Sequence, residues 1–198
     1  MAMSLAEPAT LTKSQAARRS RVVAAALQLG SQGGYDAVQM RDVAATADVA
    51  LGTIYRYFAS KDHLLAEALA EWVRDLGRKV QTRPPRSGTL AERVIDVLRR
   101  ASKAMELDPQ LSEAVVTALA STDPHAARCQ REVGVIMAET MGLAFPDDFD
   151  QARREDIVRT LGHVWFSSLV GWVNRWYGIS QAGDELEIAA HLLLDQYE

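Results

Sequence analysis

Residues 33–65, GGYDAVQMRDVAATADVALGTIYRYFASKDHLL, hold a cluster of side chains suited to one task, donating hydrogen bonds to a polyanion. The tight stretch Ala47-Asp48-Val49 separates two short helices, expected at about 40–46 and 51–57. On the second, Ile54 and Phe58 fall on one face at four-residue spacing, leaving Gly52, Thr53, Tyr55 and Arg56 largely on the other. Arginine can grip guanine O6 and N7 in bidentate fashion, and threonine and tyrosine hydroxyls donate to phosphate oxygens. Glycine near a helix start costs roughly 1 kcal/mol relative to alanine, and the return would be a backbone that phosphate can approach closely. Arg41 and Asp42 face outward on the first helix, whereas Val43, Ala44 and Ala47 can face inward. Residue types alone fit equally well a plain helical hairpin whose polar side is merely solvated.

Other chemistries find little support. His63, His125, His163 and His191 lie on different expected helices without metal-ligand spacing, and His163 reads as a satisfied core or surface histidine. Cys129, the single cysteine, excludes an internal disulfide and has no evident activating neighbour. No Gly-rich phosphate loop or nucleophile motif occurs, so neither an enzyme nor a cofactor or metal protein is expected. A helical carrier of apolar ligands without DNA activity would account for an apolar interior, but not for the Gly52–Lys61 surface.

Short helices of this kind are marginal alone and need other elements to hold them. Apolar residues recur throughout at helical rather than alternating spacing, which points to an all-α fold of about nine helices. The first begins after Thr12 and stops at Gly33-Gly34. Another starts at an N-cap, Ser60, with Asp62 in its first turn, and carries Leu64, Leu65, Ala68, Trp72 and Leu76. Thr82 to Gly88 is the clearest break. Thr89 and Glu92 form a capping box before the stripe Leu90, Val94, Val97, Ala101 and Met105. Asp108-Pro109 and Asp123-Pro124 each place a capping acid before a proline at the first helical position. A long helix after Phe145–Asp148 is expected to reach Tyr177, followed by a stop over Gly178–Gly183 and a last helix through Leu194. Residues 1–59 read as a head with a disordered arm over 1–12, and 60–198 as a helical body.

The charge distribution agrees with that division. The chain of 198 residues carries a formal net charge of −4, but Leu11–Asp62 holds seven Lys/Arg against four Asp/Glu, and the remainder from His63 holds fifteen against twenty-one. A basic head on an acidic body fits a protein that meets a polyanion with one end. With no membrane span and no secretory signal evident, the expected location is the cytoplasm.

The order of residues carries more than their types. Arg41-Asp42-Val43-Ala44, then Gly52-Thr53-Ile54-Tyr55-Arg56-Tyr57-Phe58, then Ser60-Lys61 closely resembles the signature of the TetR family of transcriptional repressors. The resemblance implies that Arg41, Thr53 and Arg56 reach bases or adjacent phosphates, that Tyr55, Tyr57 and Lys61 contact phosphate, and that Ile54 and Phe58 are core. Leu51 and Gly52, opening the second helix, belong to the same DNA-binding surface. Asp48 and Ala50 depart from the family's frequent turn glycine and capping serine, and Gln39-Met40 stands where a threonine or serine commonly caps. Aspartate tolerates a left-handed turn position, whereas the missing serine hydroxyl removes one usual phosphate contact.

The phrases GGYDAVQMR, ADVA and GTIYRYF, with a broader similarity over Leu161 to Arg175, resemble a branch of the family that represses cholesterol-catabolism genes. That implies an apolar inducer such as a steroid catabolite or its CoA thioester, with a fatty acyl-CoA or xenobiotic as the alternative. It also implies a homodimer on a palindromic double-stranded operator, paired through its last two helices. Trp172, Trp176, Leu186 and Leu193 are the interface candidates, since aromatic residues are enriched in interface cores. Trp72, Leu76, Val94, Leu98, Met105, Leu111, Val115, Leu119, Met137, Met141, Trp165 and Leu169 are the candidates to line a ligand pocket. Most residues of such a set serve as ordinary core. Arg78, Arg83 and Arg86 are basic groups available to a CoA moiety.

Overall fold

The computed structural model describes residues 11–197, so most of the arm expected over residues 1–12 lies outside the described residues. Among the described residues there are nine helices, a closing 3-10 turn and no strand: α1 (Lys13–Ala37), α2 (Met40–Thr46), α3 (Leu51–Tyr55), α4 (Lys61–Thr82), α5 (Leu90–Glu106), α6 (Pro109–Leu119), α7 (Pro124–Gly142), α8 (Gln151–Val173) and α9 (Ile179–Leu194), then Asp195–Tyr197. No described helix is long and apolar enough to cross a membrane.

Side-chain caps set most of the boundaries. Thr12 and Gln15 form a capping box at α1, and Thr89 and Glu92 form another at α5. Asp108 accepts from the Leu111 amide ahead of Pro109, and Asp123 accepts from the amides of His125 and Ala126. Asp150 caps α8 through the Arg153 amide. Within α1 the helical geometry breaks at Gly33 and Gly34, and a last turn follows to Ala37. Gly34 has φ 68° and ψ −159°, a region open almost only to glycine.

The chain forms two compact units. The first comprises residues 1–70 and 108–130, and the second residues 71–107 and 131–198, so α4 and α7 each contribute to both. In the first, α1 packs along α6 and α2 packs on α1 and α3. Gly30 permits the approach of α6: a Cβ there would stand 2.9 Å from Leu111 Cδ1. Ser31 donates to Asp108 across the same contact. Val22, Ala26, Val38, Val43, Ile54, Phe58, Leu64 and Leu65 are fully buried in this unit.

In the second unit α9 packs on α5 and α8. Here the expected boundaries are corrected. Helix α8 ends at Val173, not near Tyr177, and Arg175 takes the left-handed position (φ 61°) that closes it. The Trp176 amide bonds back to the Gly171 carbonyl at 3.0 Å. Gly171 leaves room for Tyr177, whose ring and hydroxyl would collide with a Cβ there. The chain reverses within four residues, Gly178 caps α9, and Gly183, expected to be part of a stop, lies inside the helix.

Gly34→Ala tests the break in α1. It should cost about 1–3 kcal/mol, read as a lower urea midpoint with an unchanged slope.

Candidate nucleic-acid interface

Helix α3 is five residues long, too short to persist by propensity, and Ala50 at its N-cap position offers no side-chain hydrogen bond. What holds it is burial. Ile54 and Phe58 are both fully excluded from solvent, each worth about 1.5–3 kcal/mol. Beyond Tyr55 the chain tightens, with the Tyr57 and Phe58 amides both returning to the Ile54 carbonyl at 2.8 and 2.9 Å. The helix is therefore shorter than the expected 51–57, and the tightening tucks the Phe58 ring inward. The turn before it is fixed by Asp48 at φ 52° and by amide bonds from Ala47, Asp48 and Val49 to carbonyls of α2. Arg21 Nε adds a bond to the Ala47 carbonyl at 3.3 Å.

Two further arginine and lysine contacts brace the head. The Arg19 guanidinium lies 5.1 Å from the Phe58 ring centroid and pairs with Glu67 at 2.6 Å, both side chains being largely buried. Lys61 Nζ stands 3.7 Å from the Tyr35 ring centroid and donates to the Tyr35 carbonyl at 3.2 Å, while the Tyr35 hydroxyl donates to Asp62. Burial first, then the hydrogen bond to Asp62, pushes the Tyr35 phenol well above its ordinary range.

With the helix so held, Arg41, Gly52, Tyr55 and Arg56 are exposed, and Leu51 and Thr53 are half-buried on the same helix. Tyr57 and Lys61 sit differently. Tyr57 is buried, its ring 6.3 Å from that of Phe58, and half-buried Lys61 is turned toward Tyr35. A Cβ on Gly52 would meet nothing within 4 Å, so packing within the chain does not require glycine there.

The start of α4 is coupled to that of α7 by polar groups that sequence spacing did not bring together. Ser60 Oγ accepts from the His63 amide and donates to Asp123 Oδ2 at 2.8 Å. For Asp123, burial alone raises the pKa, but bonds from the Ala126 and His125 amides and from Ser60 hold it below the usual carboxylate value. His63 is buried, edge-on to Phe58 at 5.7 Å and stacked on His125 at 5.0 Å. Burial, then the neighbouring His125 and Arg128, pushes its pKa from 6.5 to about 4.

His63, Glu67 and Cys129 bring potential ligand atoms within 4.8 Å of one another. Their hydrogen bonds are arranged for a different purpose. His63 Nδ1 accepts from the Ala59 amide at 3.1 Å, which leaves the neutral ring's proton on Nε2, whereas a ligating histidine donates its second N–H outward. Glu67 is committed to Arg19 and accepts from Cys129 Sγ at 3.4 Å. Cys129 thus directs its thiol proton at a carboxylate already paired with Arg19.

The pocket candidates divide between the units. Leu111, Val115 and Leu119 lie on α6 in the first unit. The other nine lie in the second. Val94, Leu98, Met105, Met137, Met141, Trp165 and Leu169 are buried, and Trp72 and Leu76 line a cleft of about 220 Å³ between α4 and α5 with Lys79, Val80, Arg100 and Ala104. Arg100 is held there by Asp96 and by the Arg83 carbonyl. A second cleft of about 310 Å³, between α5 and α9, is lined by Leu98, Arg99, Lys103 and Leu186 among others. Of the interface candidates, Leu186 is buried, Trp172 and Leu193 are half-buried, and Trp176 is exposed. Among the described residues of α9, Ile188 and Leu192 are the exposed apolar pair, a stripe opposite the buried Leu186, Ala190 and Leu194 that the i, i+4 spacing already contained.

A head that buries one face of a short second helix and turns arginine, tyrosine and threonine outward is a helix-turn-helix DNA-binding module. Residues 22–68 match the family described as bacterial regulatory proteins, tetR family, and residues 88–193 match the tetracyclin repressor-like C-terminal domain. The chain belongs to the TetR family of transcriptional regulators. It is 38% identical to the HTH-type transcriptional repressor KstR of Rhodococcus jostii over 98% of this chain and 90% of the relative. It is 35% identical to KstR of Mycolicibacterium smegmatis over 98% of this chain and 95% of the relative. Among solved structures, a TetR regulator from Rhodococcus sp. RHA1 superimposes with a TM-score of 0.77 at 27% identity, covering 94% of this chain and all of that one. Thermus thermophilus FadR, solved with lauroyl-CoA, shares the fold with a TM-score of 0.70 at 22% identity, covering 91% and 95% of the two chains.

Two outcomes follow. Gly52→Ala should leave the melting temperature unchanged or slightly raised, since alanine gains helix propensity in open space, while DNA affinity falls tenfold or more in a fluorescence anisotropy titration. Because the folded-state pKa of His63 is depressed, its stability contribution is complete above pH 6.5 and disappears as pH falls toward 4. The unfolding free energy should drop over that window, and His63→Gln should flatten the drop.

Proposed function

We propose that this chain is a ligand-responsive cytoplasmic repressor that binds a palindromic operator as a homodimer and is released by an apolar inducer, a steroid catabolite or its CoA thioester. The observation that carries the DNA-binding half is the outward set of Arg41, Thr53, Tyr55 and Arg56 on elements pinned by Ile54 and Phe58. Gly52 and Leu51 open the same surface. Tyr57 and Lys61 act mainly as supports for it, given their burial and their contacts with Phe58 and Tyr35. Residues 1–59 serve as the DNA-binding head and 60–198 as the sensing and dimerising body.

The inducer class rests on the similarity to the KstR repressors over nearly the whole chain. A body core that buries Met105, Met137, Met141 and Trp165 suits a large apolar molecule. The cleft edged by exposed Lys79 and half-buried Arg100 offers cations to the polar end of a thioester, in addition to the exposed Arg78, Arg83 and Arg86. Fatty acyl-CoA is the second reading, as FadR shares this fold and was solved with lauroyl-CoA.

Pairing of two copies uses the exposed Ile188 and Leu192 of α9 with Trp176, in place of the buried Leu186. Two recognition helices then meet successive major grooves roughly 34 Å apart. An inducer that favours another spacing lowers operator affinity, and operator lowers inducer affinity by the same factor. Helix α6 offers a route for that coupling, because it packs on α1 at Gly30 and Ser31.

The test is titration of DNA from upstream of the gene with wild-type, Arg56→Ala and Leu192→Glu proteins. Arg56→Ala should weaken specific binding by 1–3 kcal/mol (about ten- to a hundredfold) and non-specific binding by much less. Leu192→Glu should sediment as a folded monomer and lose most operator affinity. Equal losses on both DNAs for Arg56→Ala, or a dimeric Leu192→Glu, would reject those assignments.

A further inference from the structure

Helix α8 carries a buried stripe of Ile157, Leu161, Trp165, Ser168 and Leu169. Its polar side-chain atoms are two. Ser168 Oγ donates to Glu185 at 3.3 Å. The indole nitrogen of Trp165, on a residue 3% exposed, has no hydrogen-bond partner among the described residues. Indole nitrogen is a donor only, so another donor cannot satisfy it. The other buried hydroxyl of this unit, on Thr140, turns back to the Ile136 carbonyl at 2.6 Å. Buried donors are nearly always paired, and one that the chain leaves unpaired needs a cause.

Packing alone gives no cause, since phenylalanine fills an apolar site without the unmet N–H. The second buried atom of this kind, Arg93 Nε, belongs to a half-exposed side chain that a small movement brings to water. Trp165 has no such escape.

We propose that the Trp165 N–H reads an oxygen on the buried apolar part of the inducer. It makes Trp165 the residue that selects an oxygenated molecule, bearing a ketone or hydroxyl, over a plain alkyl chain. The proposal rests on the reading of the body as the site of an apolar inducer. It deepens that reading by separating two ligand classes. An acyl chain offers the indole nothing once its carboxyl end is at the surface, whereas a ring ketone or hydroxyl supplies the missing acceptor. A site built to bond an oxygen discriminates strongly against the analogue that lacks it, because the donor is then left bare.

The experiment uses the full-length protein and three probes: dehydrolithocholic acid, a steroid acid with a ring ketone; cholanic acid, the same skeleton without it; and lauroyl-CoA, a plain chain. Affinities come from isothermal titration, and the tryptophan indole N–H signals from nitrogen-15 NMR of the wild type. The ketone acid should bind at least tenfold tighter than cholanic acid and move one indole signal downfield, which cholanic acid does not. Trp165→Phe should remove that signal, abolish the preference, and leave cholanic acid affinity within about twofold. Should the variant fail to fold, the wild-type affinities and indole shift decide the matter.

Equal affinity for the two acids, or a preference that survives in Trp165→Phe, would overturn the proposal. So would tighter binding of lauroyl-CoA with the indole signals unmoved, or binding of none of the three probes; a buried water on the indole gives the surviving or absent preference. In each of these cases operator binding persists and the repressor reading stands. A wild-type protein that ignores operator DNA removes that reading, and the inducer assignment with it.

Discussion

The outward face of α3 depends on the inward placement of Phe58. A five-residue helix has almost no stability of its own, so its orientation is whatever its buried side chains allow. Phe58 sits between the Arg19 guanidinium and the His63 ring, and Arg19 is in turn held by Glu67 on α4. Two charges taken largely out of water are tolerable only as a pair, and removing one would leave the other buried and uncompensated. The pair therefore ties α1, the end of the recognition segment and the first turns of α4 into one geometry. Glu67 on α4 and Phe58 behind α3 are thus linked through one guanidinium.

The polar groups at the start of α4 extend this lock. Ser60 caps α4 and reaches Asp123, which caps α7, so two helix starts share one hydrogen bond. The His63 ring beside them accepts the Ala59 amide and is held neutral by its burial. Neutrality matters here because a charged ring would face Arg19, Arg128 and His125 at close quarters. The cluster has the composition of a metal or catalytic site, and its proton arrangement makes it a structural joint.

Where local chemistry decides an element, the sequence could be read closely. Thr12, Ser60, Thr89, Asp108 and Asp123 each cap the helix that follows, and Asp48 holds the left-handed turn position without glycine. Where tertiary contacts decide, local pattern says less. Gly178 and Gly183 looked like a stop, but the reversal is made earlier by Arg175 and by Tyr177 folding over Gly171, a contact that no local pattern encodes. Tyr57 has the composition of a phosphate ligand and is buried beside Phe58, because the chain tightens after Tyr55. Leu111, Val115 and Leu119 carry the apolar period of a pocket wall, but their helix packs with α1 in the first unit. Periodicity identifies a buried face without saying what buries it.

The same structure bears on how much of the DNA affinity charge can supply. Of the seven basic residues from Leu11 to Asp62, Arg19, Arg21 and Lys61 are engaged with Glu67, the Ala47 carbonyl and Tyr35. That leaves Lys13, Arg18, Arg41 and Arg56 for phosphate or base. Each phosphate neutralised contributes a slope of about 0.9 in the logarithm of affinity against the logarithm of salt. One head thus has few counterions to release, and its acidic body repels the duplex beyond the contact. In the proposed homodimer, tight binding comes from joining two heads, since a second site on the same duplex is met at high effective concentration once the first is bound. That proposal places control of affinity in the geometry between heads rather than in either head alone. A ligand that alters that geometry needs to break no contact with DNA to release the protein. It needs only to prevent both from forming at once.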